Sequence, residues 1–362
     1  MNILHLTPTY LPTMGGAEIF IDLLVQEQGK AEGDQSAVAY MSRHPVDHQG
    51  RHRVYPVHQP RLGPLDTGRA IKSLRSVCRE FNADVLHCHY GYPTGAIARR
   101  LDLPWVITSH GGDLYPHSHH RQKARHWREI GLAYREAEAV ISISHFTTRV
   151  LREELGVSPE RMELIPNGID PEPFQKELPR PQGFENRPYV FFIGRLARVK
   201  NAGLLLEAFA HPAMKDSELT LVIAGDGDQR EPLEQQVQEL GLANRVHFAG
   251  RVSGDPKVAW LQHAAAVLMP SHEEACPIVA IEAITCGRPL LTSDIDAFDL
   301  FHESGSTHQR LPHEADAWAK AIAALPDAPD GNVESAILEQ AEEYSIATCA
   351  RRHRALYKKI IG

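Results

Sequence analysis

Residues 189–201 read YVFFIGRLARVKN. Tyr189 to Ile193 is a short, unbroken apolar run rich in aromatic and β-branched side chains, which predicts a strand buried on both faces. Gly194 ends it. A cationic loop follows, with Arg195, Arg198 and Lys200, and then Asn201–Ala210 carries apolar residues at helical spacing. Strand, loop and helix in that order form the opening unit of a parallel α/β sheet. What precedes this stretch matters as much. Residues 171–188, PEPFQKELPRPQGFENRP, hold five prolines and can continue neither a helix nor a central strand, so they read as a linker. The α/β pattern therefore starts afresh at residue 189.

The same pattern recurs on both sides of this stretch. Downstream, Leu219–Ala224, Arg245–Phe248, Ala266–Met269 and Pro289–Thr292 read as strands, with helices at Arg230–Leu240 and Ile278–Thr285. Upstream, Asn2–Thr7, Ala37–Met41, Asp84–His89, Trp105–Thr108 and Ala139–Ser144 read as strands, and Ala17–Gly29, Pro93–Arg100 and Phe146–Leu155 as helices. Strand–helix alternation predicts two doubly wound parallel-sheet domains: 1–170, a linker at 171–188, and 189–345. The last helix, in 346–362, is expected to return to the first domain. A chain of 362 residues suits two cores better than one.

Composition narrows the function. Residues 1–170 hold 19 basic and 19 acidic residues out of totals of 38 and 46, so the remainder carries 19 and 27 and the whole net charge of −8. A nucleic-acid binder should show a basic excess, so no nucleic-acid partner is expected. Met1–Leu6 is apolar but short and has no basic segment ahead of it, so no secretory signal is expected. No run approaches the length of a membrane span. The five cysteines, at 78, 88, 276, 286 and 349, form no C-x-x-C pair and are odd in number. Reduced thiols in a cytoplasm are the expectation.

Several loops carry residues suited to a polar ligand. Gly15-Gly16, ahead of the first helix, allows close backbone approach at a helix N-terminus, a seat for a phosphate or sugar oxygen; a plain tight turn is the alternative. Thr108-Ser109-His110-Gly111-Gly112-Asp113 ends a strand, and His110 is placed to donate to a ligand hydroxyl or carbonyl, with a structural histidine as the alternative. Arg195 and Lys200 lie five apart across the loop into a helix and can converge on one anion. Gly225-Asp226-Gly227 allows close passage of a ligand or a neighbouring loop. Glu274 and Glu282 are eight apart, and a carboxylate pair suits hydroxyl-rich ligands. Between them, a helix starting near Pro277 turns the N–H groups of Ile278 and Val279 towards an anion.

Taken in order, these segments resemble glycosyltransferase family 4, the retaining group 1 enzymes of GT-B architecture. The resemblance rests on GGAE (15–18), TSHGGD (108–113), IPNGID (165–170), FIGRLARVKN (192–201), VIAGDGD (222–228), VHFAG (246–250) and the E-x7-E of 274–282 running into EAITCGRPLLTSD (282–294). It spans the chain. It implies an α/β GT-B fold with two Rossmann-like domains facing a cleft, acceptor on the first and nucleotide-sugar donor on the second. It implies that Arg195 and Lys200 neutralise the donor diphosphate and that Glu282 binds ribose hydroxyls. Glu274 holds hydroxyls of the transferred sugar. Gly15 and Gly16 meet the diphosphate or sugar, and His110 the sugar near its reacting centre. Gly250, Arg251 and Val252 edge the base, Cys276, Ile278 and Val279 complete the donor site, and Asn167-Gly168 lies near the hinge. The implied catalytic set is His110, Arg195, Lys200 and Glu274, with no metal and no cofactor beyond the nucleotide-sugar substrate. Ala275-Cys276-Pro277 and the stretch Ser293–Asp299 depart from the family pattern.

Other readings are weaker. A nicotinamide dehydrogenase needs G-x-G-x-x-G after the first strand, and Pro8–Glu18 lacks it. An epimerase or phosphorylase on the same scaffold, or a silent binding subunit, remains as an alternative. His117, His119, His120 and His126 fit no standard zinc spacing, and His87 and His89 are expected to be packing residues. Arg69, Lys72, Arg75 and Arg79 share one helix face, ordinarily a solvated one, which also suits an anionic lipid surface.

Overall fold

The computed structural model describes residues 1–11, 15–42, 52–60, 64–302, 308–326 and 331–362. The chain divides into two units, Met1–Ile169 with Ser345–Gly362, and Asp170–Tyr344. Each contains one parallel sheet.

The first sheet has seven strands: β1 (Asn2–Thr7), β2 (Gln35–Ser42), β3 (Arg53–His58), β4 (Val85–His89), β5 (Trp105–Thr108), β6 (Ala139–Ser142) and β7 (Met162–Leu164), in the order β3-β2-β1-β4-β5-β6-β7. The second has β8 (Tyr189–Ile193), β9 (Thr220–Ala224), β10 (Val246–Gly250), β11 (Val267–Met269), β12 (Leu290–Ser293) and β13 (Gln309–Leu311), in the order β10-β9-β8-β11-β12-β13. Both follow the doubly wound 3-2-1-4-5-6 order, the first with one strand added. In such sheets the strand order reverses beside the first strand, and ligands bind beyond the carboxyl ends of the strands at that switch point. The switches here are β1/β4 and β8/β11.

Strand burial explains the apolar runs. Tyr189 to Phe192 are all at most 2% exposed, as are all five residues of β9. In the first sheet one face, with Leu4, Leu6, Leu86 and Ile107, packs under the helix Pro64–Phe81 and its neighbours. The other face, with Ile3, Val38, Val85 and Val106, is covered by the helices Gly16–Gln28 and Ile346–Ile361.

Three strands escape the sequence reading, β3, β7 and β13, and each lies at a sheet edge. β3 carries Pro56, which an edge strand tolerates because only one side of the backbone needs its ladder bonds. The other two are three residues long and partly exposed. The helices Ala124–Glu136, Gly254–Gln262, Ala315–Ala323 and Gly331–Ala341 also lie outside the sequence reading.

The proline-rich segment 171–188 forms no strand and only one short helical turn, Glu172–Phe174. It is pinned to the second unit. Gln262 donates to the carbonyls of Phe174 and Lys176 and accepts from the Leu178 N–H. Phe184, 4% exposed, makes edge contacts with Tyr189 and Trp260. The C-terminal helix Ile346–Ile361 belongs to the first unit. Its first N–H donates to the Ile169 carbonyl at 2.7 Å, and Arg354 pairs with Asp34 at 2.6 Å. A Cβ at Gly168 would lie 2.8 Å from the Ile346 Cα, so a glycine is what lets the helix start seat there.

Candidate functional site: loops beyond the carboxyl ends of the strands

In the second unit the loop after β8 and the loop after β11 flank the switch point. Two features bring them together. The His272 N–H donates to the Val199 carbonyl at 2.8 Å, and Asn201, in the left-handed region at φ 52°, turns the chain from the short helical turn Arg198–Lys200 into the helix Ala202–Ala210. Lys200 is thereby aimed at Glu274, with Nζ 2.5 Å from Oε1. The same oxygen accepts from Ser271 Oγ at 2.8 Å. Glu274 is 8% exposed, and a carboxylate so buried needs both partners. Ser271 is held in turn: its carbonyl accepts from Ser293 Oγ and approaches His313 Nε2.

The second carboxylate is also paired. Glu282, on the helix Ile278–Thr285, is 7% exposed, and its Oε1 lies 2.5 Å from Lys257 Nζ. Burial pushes this carboxyl above the usual carboxylate range, and Lys257 pulls it back. Lys257 comes from the helix Gly254–Gln262 and lies over the Phe174 ring. Neither Lys257 nor Ser271 figures among the sequence candidates. Ser271 lies three residues from Glu274, so adjacency is a signal; Lys257 carries none, because its partner comes from an element 25 residues away.

The remaining candidates in this unit fall as follows. Arg195 is exposed on the loop after β8. Gly225 is in the left-handed region at φ 129°, and a Cβ there would be 1.8 Å from the Gly194 carbonyl oxygen; a Cβ at Gly227 would be 2.3 Å from that of Leu196. These glycines therefore serve the neighbouring loop, and so fix the backbone on both sides of Arg195. The Gly225 N–H donates to the Gly250 carbonyl at 2.7 Å, and Arg251 reaches Asp226 at 3.3 Å while staying 83% exposed. That sets Gly250, Arg251 and Val252 beside the same strand ends. Cys276 is buried. Pro277 precedes the helix with no side-chain cap, leaving the N–H groups of Ile278 and Val279 as first-turn donors. The divergent stretch after β12 is tied down by Arg310, which pairs with Asp294 and Asp299.

In the first unit, Gly15 precedes the helix Gly16–Gln28, and a Cβ on it would be 2.4 Å from Glu18 Oε2. Glu18 is buried and accepts from Thr9 Oγ1 at 2.6 Å. His110 follows β5 and is 9% exposed. Its Nε2 meets His89 Nδ1 at 2.9 Å, while its Nδ1 has no protein partner among the described residues. His87 and His89 are fully buried and packed against other rings, and they are hydrogen-bonded as well. With His5 they form a fully buried cluster whose ring nitrogens lie within 4.8 Å of one another, and each ring is hydrogen-bonded. Burial holds all of them neutral, His5 and His110 at about 3 and His87 and His89 well below the ordinary value. Asp113 of the same loop is buried, its carboxyl pushed up by burial, and it accepts from the Gly91 N–H and Tyr134 OH. His117 and His126 stack on Tyr115 and Tyr92; the side chain of His120 lies outside the described residues.

Comparison with known proteins gives the family and the fold. The model described as Glycosyltransferase Family 4 matches residues 14–173, and that described as Glycosyl transferases group 1 matches residues 174–343. The chain is 28% identical over 240 residues to alpha-D-kanosaminyltransferase of Streptomyces kanamyceticus (63% of this chain, 62% of that one). It is 29% identical over 316 residues to D-rhamnosyltransferase WbpZ of Pseudomonas aeruginosa (82% and 78%). The chain thus spans about 62% of the length of the first of these relatives. In fold it is similar to Anabaena Alr3699/HepE solved in complex with UDP, with a TM-score of 0.79 at 21% identity over 99% of this chain and 100% of that one. Its two sheets are thus those of the GT-B fold, and the two matches together run almost from end to end. The chain belongs to the group 1, family 4 glycosyltransferases.

Proposed function

We propose that this protein is a retaining, metal-independent glycosyltransferase that moves a sugar from a nucleotide-diphosphate donor of the UDP-sugar or GDP-mannose type to the hydroxyl of a glycan, lipid-linked or small-molecule acceptor. The observation that carries this reading is the pairing of two buried carboxylates with two lysines, Glu274 with Lys200 and Glu282 with Lys257, beyond the carboxyl ends of one parallel sheet. Carboxylates paired with lysines are strong acceptors for sugar and ribose hydroxyls. Arg195, Lys200 and the first-turn N–H groups of Ile278 and Val279 are the donors for the diphosphate.

In the reaction the bond between the anomeric carbon and the diphosphate oxygen breaks, and the electron pair leaves with the diphosphate. Arg195 and Lys200 stabilise that developing charge. The acceptor oxygen bonds to the anomeric carbon on the face the phosphate leaves, and its proton passes to a phosphate oxygen. Glu274 orients the sugar and Glu282 the ribose. Gly250, Arg251 and Val252 border the base, and Cys276 lines the donor site. The backbone of Gly15 and Gly16 serves the diphosphate or the sugar, and His110 serves the sugar. The protein supplies the positive charge, so no metal or further cofactor is needed.

We assign the protein to the cytoplasm, where five cysteines without a disulfide suit the redox state. Among the described residues no helix is long and apolar enough to cross a membrane. The exposed side chains of Arg69, Lys72, Arg75 and Arg79 are the surface that would meet anionic lipid if the acceptor is lipid-linked, which co-sedimentation with anionic vesicles tests.

The test of activity is product analysis by NMR, with UDP- and GDP-sugars, with and without an acceptor panel and with chelator present. Nucleoside diphosphate release with a new glycosidic bond of retained anomeric configuration supports the reading. Inverted product, dependence on added metal, or epimerised sugar without transfer contradicts it.

A further inference from the structure

Strands β1, β4 and β5 change character along the face covered by the helices Gly16–Gln28 and Ile346–Ile361. Ile3, Val85 and Val106 at their amino ends are apolar, and two residues on in each strand stand His5, His87 and Thr108. Farther along come His89 and, past the end of β5, His110. This polar layer is fully buried up to His110, and it is hydrogen-bonded end to end. Gln28 Oε1 lies 2.8 Å from His5 Nε2, His5 Nδ1 lies 3.0 Å from His89 Nε2, and His89 Nδ1 lies 2.9 Å from His110 Nε2. The successive rings are close to parallel, 14° and 26° apart, with centroids 5.3 and 5.1 Å apart. At those N···N distances the rings meet edge to edge, as donor and acceptor in line. On its other side, Gln28 Nε2 donates to the Tyr357 hydroxyl at 3.2 Å, Tyr357 OH lies 2.7 Å from His87 Nδ1, and His87 Nε2 lies 2.7 Å from Thr108 Oγ1.

A neutral imidazole has one donor and one acceptor nitrogen, so one choice sets every other. Two observations make that choice. Tyr357 and Thr108 cannot both donate to His87, and the phenol is the more acidic hydroxyl, so Tyr357 donates to Nδ1. Tyr357 oxygen then accepts from the Gln28 NH₂, which turns the Gln28 carbonyl oxygen towards His5 and Ser36 Oγ. At the far end, His110 Nδ1 is buried with no protein partner among the described residues, and an orphaned N–H there costs more than an unpaired lone pair. Both ends require the same direction. His5, His89 and His110 each carry their proton on Nε2.

We propose that Gln28, acting through His5 and His89, is a positioning residue that locks His110 in the Nε2–H form, so that His110 meets its ligand through Nδ1 as a hydrogen-bond acceptor. A group seated against that atom must bring an O–H or N–H. A sugar or acceptor hydroxyl qualifies, and an ionised phosphate oxygen, an acceptor only, does not. This reverses the donor role expected of His110 from sequence. The ligand half of the inference rests on the transferase reading; the tautomer half does not.

The experiment is a long-range ¹H–¹⁵N correlation spectrum of the full chain with ¹⁵N-labelled histidine at pH 7, the His110 signals being assigned by their loss in His110→Gln. The expected result is a non-protonated Nδ1 and a protonated Nε2 for His110 in the wild type, and a mixed tautomer in Gln28→Leu. A purely structural glutamine would leave the His110 tautomer unchanged on substitution. A wild-type His110 that is protonated on Nδ1 or on both nitrogens overturns the proposal whether or not any variant folds, and an unchanged His110 tautomer in a folded Gln28→Leu protein removes Gln28 from it. No nucleotide sugar is needed, so failure here leaves the transferase reading standing, and absence of turnover leaves the tautomer result standing.

Discussion

Lys257 shows how much a single side chain can decide. Without it Glu282 is a carboxylate 7% exposed with no cation beside it, and its carboxyl, already pushed up by burial, rises further and loses its value as an acceptor for ribose hydroxyls. Lys257→Met is expected to weaken nucleoside diphosphate binding by about 10- to 100-fold, the worth of a charge-assisted hydrogen bond, in an equilibrium titration. Unchanged affinity would detach Lys257 from the donor site. Lys200→Ala acts on the bond-breaking step and is expected to lower kcat by about 10²–10³, read under saturating donor. Residues of this kind are unequally legible in sequence. Lys200, Glu274 and Glu282 stand out because neighbouring positions share their chemistry. Lys257 and Gln28 look like ordinary helix residues, because what marks them is a partner brought in by the tertiary fold.

Among the elements, the loops after strands carry the site, and their shape depends on close backbone approach. Gly225 has a left-handed φ, and a Cβ on it would lie 1.8 Å from the Gly194 oxygen, whereas Gly241 has a left-handed φ of 69° and open space around it. Gly225→Ala is therefore expected to cost about 3 kcal/mol or more, strain and overpacking combined, and Gly241→Ala about 1 kcal/mol. Thermal unfolding of the two variants checks this; equal losses would mean the approach to Gly194 is not tight. The same scale explains what sequence revealed of the fold. Central strands such as β8 and β9 are buried on both faces and write an apolar run. The edge strands β3, β7 and β13 are buried on less of their surface, and Pro56 in β3 argues against a strand to any reader without the sheet order. The prolines of 171–188 leave no sign in the sequence of what Phe184 does, whose burial against Tyr189 and Trp260 attaches the segment to the second unit.

For the whole molecule, the buried histidines make acid the natural denaturant of the first unit. His5 and His110 titrate at about 3 and His353 at about 4, with His87 and His89 well below the ordinary value, all through burial. Unfolded, each takes up a proton near pH 6.5. The folded values are depressed, so the stability tied to neutral rings is complete above about pH 6.5 and is lost as pH falls towards the folded values. The loss is about 1.4 kcal/mol per pH unit for each fully responding histidine, and five together are enough to unfold a marginally stable unit near pH 5. Urea unfolding at pH 7, 6 and 5 should show midpoints falling steeply; a midpoint independent of pH would mean these rings are not neutral and buried together. A nucleoside diphosphate site built on Lys200, Glu274, Lys257 and Glu282 should reveal itself in thermal melting with UDP, GDP, ADP, CDP and dTDP at millimolar concentration and no added metal. A ligand at 100 times its Kd stabilises by about 2.7 kcal/mol, or several degrees for units of this size at about 2–4 °C per kcal/mol. One nucleotide is expected to raise the melting temperature by that amount, and Lys200→Ala and Glu282→Ala to abolish the shift. A melt that no nucleotide moves, or a shift that survives both substitutions, would contradict it.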